Sequence, residues 1–133
     1  MEVKFYLCLT CGNILCSVVD SGVTPKCCGS NMELLEAKTR DNGIEKHLPV
    51  AEWLDDHTLR VKVGSQPHPC SQEHHIVMIA LEMKDGICIK KLDHSHCTAP
   101  EAVFHCRKEE VRGVFAYCNL HGLWHQLLVG CGG

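Results

Sequence analysis

Residues 59–63, Leu-Arg-Val-Lys-Val, and residues 75–83, His-Ile-Val-Met-Ile-Ala-Leu-Glu-Met, decide the fold class of this chain. The first stretch alternates apolar and basic side chains, as an antiparallel strand with one buried face does. The second stretch is a longer and mostly apolar run, which suits a strand covered on both faces. This part of the chain contains no convincing helix pattern, so both stretches predict β structure.

Short strand-like segments also occur on either side of these two. They lie at residues 3–9, 14–19, 86–90, 102–106 and 111–117, with turn residues between them. Several short strands at close spacing favour a β-sandwich over a parallel sheet. We therefore expect an all-β protein.

Cysteine and histidine divide the chain into two regions. Residues 1–36 hold five of the eleven cysteines and no histidine, whereas residues 37–133 hold the other six cysteines and all ten histidines. Between them, residues 36–46 are polar and contain the turn signal Asp-Asn-Gly. We therefore predict one domain at residues 1–36 and a second at residues 37–133. A domain as short as the first needs a metal or disulfide to be stable.

Bulk composition excludes several classes of function. A formal net charge of −3 gives no support to a nucleic-acid or anionic-membrane partner. No apolar run approaches the roughly 18 residues of a membrane span, and the start of the chain has no signal-peptide pattern. We therefore expect a cytoplasmic protein. In that reducing compartment, so many cysteines and histidines indicate metal binding rather than disulfides.

The cysteines of the first region form two short motifs. Cys8-x-x-Cys11, followed by glycine, is half of a tetrathiolate site, since two thiolates at this spacing can hold one metal where the backbone turns. The other half is Cys27-Cys28, also followed by glycine, and these neighbours can face one ion only if the backbone bends sharply. The spacing leaves zinc and iron open, because four thiolates in a tetrahedron suit either metal.

Three segments of the second region carry further candidate ligands. They are residues 45–50 (EKHLPV), residues 63–74 (VGSQPHPCSQEH) and residues 117–124 (YCNLHGLW). Each segment is a weak signal alone, because a lone histidine is more often a surface or core residue than a ligand. Glycine and proline around the histidines indicate loops at strand ends, where a rigid sandwich can present ligands.

In their order along the chain, the motifs CxxCG, CCG, EKHLPV, VGSxxHP, EHHI and CNLHGLW resemble the desulfoferrodoxin family. The resemblance runs from Cys8 to Trp124 and so covers nearly the whole chain. It implies a superoxide reductase with two iron ions. It also implies a desulforedoxin-like unit at residues 1–36, followed at residues 37–133 by a neelaredoxin-like domain, which is an immunoglobulin-like antiparallel β-sandwich.

The resemblance further implies the metal ligands. By position, the tetrathiolate iron would be held by Cys8, Cys11, Cys27 and Cys28. The reactive iron would be held by four histidines and one thiolate, namely His47, His68, His74, His121 and Cys118. One axial position of this iron would stay open for superoxide, whereas a structural site closes its coordination shell.

Two charged residues beside the first histidine motif have implied roles in the reduction of superoxide to hydrogen peroxide. Lys46 would attract the superoxide anion to the open position. Glu45 would bind the oxidised iron once the product has left. From the residues alone both would be ordinary solvated charges, and the family motif reverses that interpretation for Lys46.

The family also implies partners, and alternatives to the enzyme remain. Rubredoxin or a similar protein commonly supplies the electron, and family members are commonly homodimers. An electron carrier of rubredoxin type would explain the cysteine motifs but not the histidine segments. A zinc-stabilised interaction module would have no redox chemistry, and it would be colourless, whereas ferric thiolate sites absorb visible light.

Overall fold

The computed structural model describes residues 3–39, 48–63, 74–92 and 100–128. The chain divides into two compact units, Met1–Glu36 and Ala37–Gly133. Among the described residues, no helix has the length and apolar character that a membrane crossing demands.

The first unit consists of five short strands in two small sheets. They are β1 (Lys4–Leu7), β2 (Ile14–Ser17), β3 (Lys26–Cys27), β4 (Ser30–Asn31) and β5 (Glu33–Leu34). One antiparallel sheet has the order β2-β1-β5, and β3 pairs with β4. Its small core includes Tyr6, Cys8 and Met32, against which Cys27 packs, and Phe5 is buried as well. Two of the predicted ligands therefore belong to the core of this unit.

The second unit contains seven strands among its described residues. They are β6 (Pro49–Asp55), β7 (Thr58–Val63), β8 (Ile76–Met83), β9 (Gly86–Lys91), β10 (Glu101–His105), β11 (Val111–Cys118) and β12 (Gly122–Leu127). A three-residue 3-10 helix, Lys108–Glu110, precedes β11. The strands form a three-stranded sheet, β10-β7-β6, and a four-stranded sheet, β12-β11-β8-β9. Every pairing within these sheets is antiparallel.

The two sheets of the second unit share one apolar core. The three-stranded sheet contributes Leu59, Val61, Val63, Ala102 and Phe104, and the four-stranded sheet contributes Ile76, Ile79, Leu81, Val111, Val114, Ala116 and Cys118. Along β7 the alternate residues Leu59, Val61 and Val63 are buried, whereas Lys62 is exposed, because successive side chains of a strand point to opposite faces. The unit is therefore an antiparallel β-sandwich.

The all-β prediction is confirmed. The strand expected at residues 75–83 is found as β8, and four successive residues in it, 78–81, are buried. A run of buried neighbours is what a strand covered on both faces requires.

The strand expected at residues 3–9 ends earlier, at Leu7. Cys8 begins a turn in which its N–H donates to Asn13 O at 2.8 Å and its carbonyl accepts from Gly12 N–H at 2.9 Å. The first bond continues the β1–β2 register by one residue pair, and the second closes a turn over residues 8–12, so the cysteine motif lies in the turn and not in the strand.

The sequence patterns do not predict β6 or β12. Strand β6 begins at Pro49, and proline weakens a strand prediction because it has no N–H for the ladder. In β12 the neighbours Leu123 and Trp124 are both buried, which breaks the alternation of a half-buried strand. Pairing with β7 and β11, respectively, produces these strands.

Candidate metal centres

Four of the five cysteines of the first unit meet where two turns face each other. Cys8 follows β1, and the turn after it contains Gly12 with a φ of 81°. Cys27 ends β3, and the next two residues, Cys28 and Gly29, have φ values of 53° and 77°. Two successive positive φ values are typical of the type I′ turn of a two-residue hairpin. This turn supplies the sharp bend that adjacent cysteines need to approach one ion.

The sulfur atoms of this cluster are spaced as a single tetrahedral metal requires. The Sγ atoms of Cys11 and Cys27 are 3.6 Å apart, and those of Cys27 and Cys28 are 4.0 Å apart. All four Sγ atoms lie within 4.8 Å of one another. Four sulfurs bound at about 2.3 Å to a central ion would be about 3.8 Å apart. The donor set therefore fits a tetrathiolate metal.

The thiols of the metal-free cluster hold their protons unequally. The N–H of Cys11, 3.5 Å from the Cys8 sulfur, lowers the pKa of Cys8 to about 6. Hydrogen bonds to the side chains of Cys11 and Cys8 raise the pKa of Cys28 to about 12, and a hydrogen bond to the Cys8 side chain raises the pKa of Cys27. Negative charge therefore develops first on Cys8, and a metal displaces the remaining thiol protons as it binds.

A second cluster lies at one end of the four-stranded sheet. Cys118 is the last residue of β11, His121 lies in the turn to β12, and His74 precedes β8. The antiparallel register pairs Cys118 with Ile76, so His74 comes close to the β11–β12 turn. One donor atom of each of the three residues lies within 4.8 Å of the others. The structure thus brings three of the five residues predicted for the reactive site together.

A metal at ordinary bond lengths fits between these donors. The Sγ of Cys118 is 3.6 Å from Nδ1 of His121. Bonds of about 2.3 Å to sulfur and about 2.1 Å to nitrogen put these atoms about 3.1 Å apart at a right angle and about 3.6 Å apart at the tetrahedral angle. The rings of His74 and His121 meet edge to face, with centroids 4.9 Å apart and planes inclined at 65°. Two imidazoles and a thiolate suit iron, zinc or copper.

The surroundings of this cluster are asymmetric. Cys118 is 0% exposed and belongs to the sandwich core, whereas His121 is partly exposed. Among the described donors, the thiolate therefore lies on the core side of the cluster and the His121 imidazole on its exposed side.

Backbone interactions hold the turn that carries His121. Gly122 has a φ of 88° and pairs with Cys118, which leaves residues 119–121 as a three-residue hairpin loop. Asn119 joins this loop to the approach to β8: its Oδ1 accepts from His75 N–H at 2.9 Å, and its N–H donates to His75 O at 3.2 Å. These bonds fix the two histidine-bearing segments relative to each other.

Four of the predicted site residues lie outside the described residues, namely Glu45, Lys46, His47 and His68. Their roles remain predictions. The remaining predicted ligands all belong to one of the two clusters.

Two residues at the second cluster, Asn119 and Lys38, were not among the predicted site residues, although Asn119 lies within the CNLHGLW motif. Asn119 has one sequence signal, since asparagine is common in tight turns. Lys38 has none: its Nζ donates to His121 O at 2.8 Å, and the two residues are 83 positions apart in sequence.

A small unit with a cluster of four cysteines and a β-sandwich with a His-Cys-His cluster at one end define a small all-β protein with two candidate metal centres. The sequence profile of the desulfoferrodoxin family matches residues 39–127. The chain belongs to this family.

Similarity to known members extends over nearly the whole chain. The desulfoferrodoxin homolog of Archaeoglobus fulgidus is 41% identical over 123 residues, covering 92% of this chain and 94% of its own. The superoxide reductase of Thermococcus kodakarensis is 40% identical over 102 residues, covering 65% of this chain and 89% of its own. The crystal structure of the superoxide reductase from Treponema pallidum superimposes with a TM-score of 0.78 at 30% identity, covering 94% of this chain and 98% of that one.

Proposed function

We propose that this chain is a superoxide reductase that holds one iron in each of its two clusters. The observation that carries the proposal is the convergence of His74, Cys118 and His121 at the end of the sandwich. A structural metal site has a closed coordination shell and needs no exposed side. A site that reacts with a small molecule needs an exposed side, which the partly exposed His121 imidazole provides. The names of the relatives from Thermococcus kodakarensis and Treponema pallidum support the same activity.

The proposal completes the reactive site with His47 and His68. Four imidazoles and one thiolate are five donors, one fewer than a six-coordinate ion accepts. These five residues would then hold the iron and leave one coordination position for superoxide. Iron held by these residues would supply the single electron, and two protons would complete the conversion of superoxide to hydrogen peroxide.

Charge favours this substrate at this site. Iron(II) with one thiolate and neutral imidazoles carries a net single positive charge, although the chain as a whole carries −3. We propose that Lys46 adds to the local attraction and orders the water that supplies protons. Attraction of this kind acts over about a Debye length and weakens with salt. Glu45 is proposed to occupy the open position after the product has left.

The tetrathiolate cluster is proposed to hold the second iron. Because Cys8 and Cys27 pack with Tyr6 and Met32, a metal bound there would also hold the small core of the first unit together. A protein of rubredoxin type is proposed as the electron donor. We further propose that the chain acts in the cytoplasm as a homodimer.

Product analysis tests the proposed activity. The iron-loaded chain is exposed to a continuous source of superoxide with a limiting supply of reduced rubredoxin, and hydrogen peroxide and dioxygen are measured together. A reductase forms one peroxide for each electron and no additional dioxygen. Dioxygen released faster than in the protein-free reaction, where superoxide dismutates spontaneously, would instead mean catalysed dismutation. Superoxide consumption at the protein-free rate while rubredoxin is still oxidised would favour a simple electron carrier.

A further inference from the structure

Lys38 is joined to the edge of the four-stranded sheet beside the second cluster. It forms a parallel bridge with Trp124 of β12. Its N–H donates to Leu123 O, and its carbonyl accepts from His125 N–H, both at 2.9 Å. These two bonds fix the backbone of Lys38 along the strand that follows His121.

The side chain of Lys38 reaches from this edge to the backbone of His121. Its Nζ lies 5.0 Å from the centroid of the Trp124 ring, within the range of a cation–π interaction. The same Nζ donates to the carbonyl oxygen of His121 at 2.8 Å. Trp124 is buried, so the ring gives the lysine stem a fixed surface on which to lie.

The loop of residues 119–121 is thus held on two sides. Asn119 ties it to the backbone of His75, and Lys38 ties it to β12 through His121. Gly122 follows with a φ of 88°, a conformation that costs glycine little and restrains the chain weakly. A side-chain hydrogen bond at the preceding carbonyl therefore restrains the loop where its backbone is most permissive.

We infer that Lys38 is a positioning residue of the second metal centre, which holds His121 in place and sets a positive charge beside the metal. The inference rests on the proposed iron at this cluster but not on the reaction with superoxide. A residue that orients a ligand affects metal affinity and spectrum. A fixed cation close to the metal favours the oxidation state of lower charge, so it raises the reduction potential.

Three substitutions separate the effect of Lys38 on the position of His121 from the effect of its positive charge. Lys38→Met keeps the apolar stem over Trp124 but removes both the donor and the charge. Lys38→Gln keeps an N–H donor and removes the charge, and Lys38→Arg keeps both. Lys84→Met is the matched control, because Lys84 is an exposed lysine in the turn after β8, at the end of that strand away from His74.

The experiment uses the full iron-loaded chain. Spectroelectrochemistry follows the thiolate-to-iron band of each centre, and competition with a chelator measures the affinity for iron. We expect Lys38→Met to lower the reduction potential of the histidine-ligated iron and to weaken its affinity on the order of tenfold. The tetrathiolate iron, which serves as an internal reference, should keep its potential in every variant.

Lys38→Gln should lower the potential while retaining most of the affinity, and Lys38→Arg should behave as wild type. Added salt should reduce the difference in potential between wild type and Lys38→Gln, because Lys38 is exposed and its charge is screened.

Wild-type potential and affinity in both Lys38→Met and Lys38→Gln would overturn the inference. So would an equal shift of both irons, or the same shift in Lys84→Met. If Lys38→Met leaves too little folded protein, the inference is tested by comparing the reduction potentials of Lys38→Gln and Lys38→Arg. Neither measurement uses superoxide, so the result stands apart from the proposed reductase activity.

Discussion

Cys118 has the least exposed side chain among the described donors of the two clusters, at 0% against 3% for Cys8. A buried thiolate without a compensating positive charge is strongly disfavoured. A bound metal cation would stabilise the charged form of Cys118, and its sulfur would then donate electron density from the core side of the site.

We expect Cys118→Ser to remove the thiolate-to-iron charge-transfer band of the oxidised second centre, because a serine oxygen does not give that transition. Visible spectra of the oxidised, iron-loaded variant measure it. Cys106→Ser is the matched control: Cys106 is also part of the second unit, burial raises its pKa, and it belongs to neither cluster. Persistence of the band in Cys118→Ser would identify another cysteine as the ligand, and Cys70 is the first to test because it follows the predicted ligand His68 by two residues.

The charge of Lys46 leads to a further prediction. We expect Lys46→Ala to slow the bimolecular reaction with superoxide, roughly tenfold at low salt, and to flatten its dependence on ionic strength. Pulse radiolysis over a series of salt concentrations measures both, with Lys84→Ala as the control for loss of one positive charge. A variant that is slower but keeps the wild-type salt slope would argue against electrostatic steering.

Among the elements, the β11–β12 hairpin determines the geometry of the second cluster. Gly122 has a φ of 88°, and a Cβ added there would meet no atom within 4 Å. The cost of Gly122→Ala is therefore a backbone cost, about 1 kcal/mol. We expect a lower unfolding temperature together with weaker iron binding at the second centre.

Gly86→Ala is the control for this change. Gly86 begins β9, has no left-handed φ, and also has open space around the position of a Cβ. The Gly86→Ala substitution should leave the affinity of the second centre for iron unchanged. Equal effects of the two substitutions, measured by thermal unfolding and chelator competition, would mean that the left-handed conformation of Gly122 does not matter for the site.

The β6–β7 hairpin carries a pH-dependent contribution to stability. The N–H of His57 donates to Asp55 at 2.8 Å and the hydroxyl of Thr58 at 3.1 Å, and these bonds hold the pKa of the Asp55 carboxyl below its ordinary value. A carboxyl with a lower pKa in the folded state stabilises the fold fully above its ordinary pKa of about 4. The contribution is lost as the pH falls through the lower folded value.

Asp55→Asn keeps an oxygen acceptor but cannot titrate. We expect wild type to unfold at a higher temperature than Asp55→Asn near neutral pH, and the difference to shrink below about pH 4. Thermal unfolding of both chains across this pH range measures it, and any loss of bound metal in acid affects both alike. A difference that grows on acidification would contradict the assignment of the pKa shift.

How far the sequence predicts these elements depends on where their partners lie. The apolar run of β8 and the alternation of β7 predict both strands, because the hydrophobic pattern within each segment shows which of its faces are buried. Strand β12 is not predicted, because Leu123 and Trp124 are both buried and only the pairing with β11 produces the strand.

The candidate sites follow the same rule. The cysteine quartet is predictable because its donors are concentrated in two short motifs. The hydrogen bond from Lys38 to His121 is not predictable, because it joins residues 83 positions apart. Its acceptor is a backbone carbonyl, which every residue has. Backbone acceptors leave no mark in the sequence.

At the scale of the whole molecule, the two units differ in what holds each together. The core of the second unit runs from Leu59 to Cys118 and joins two sheets, so this unit has an apolar core of its own. The core of the first unit contains Tyr6 and Met32 but also the cysteine sulfurs of its cluster. The first unit is therefore expected to depend on its metal far more than the second.

This difference leads to a prediction for a shortened chain of residues 37–133. Because the described residues of this core all belong to the second unit, we expect the shortened chain to fold and to bind one iron, whereas the full chain should bind two. Metal analysis gives the two ratios, and visible spectra should show that the shortened chain lacks the tetrathiolate band but keeps the band of the histidine-ligated iron. Cys11→Ser in the full chain is the control, since it should weaken the first centre and leave the second unchanged. Loss of both irons in the shortened chain, with the sandwich still folded, would mean that the second centre needs residues of the first unit.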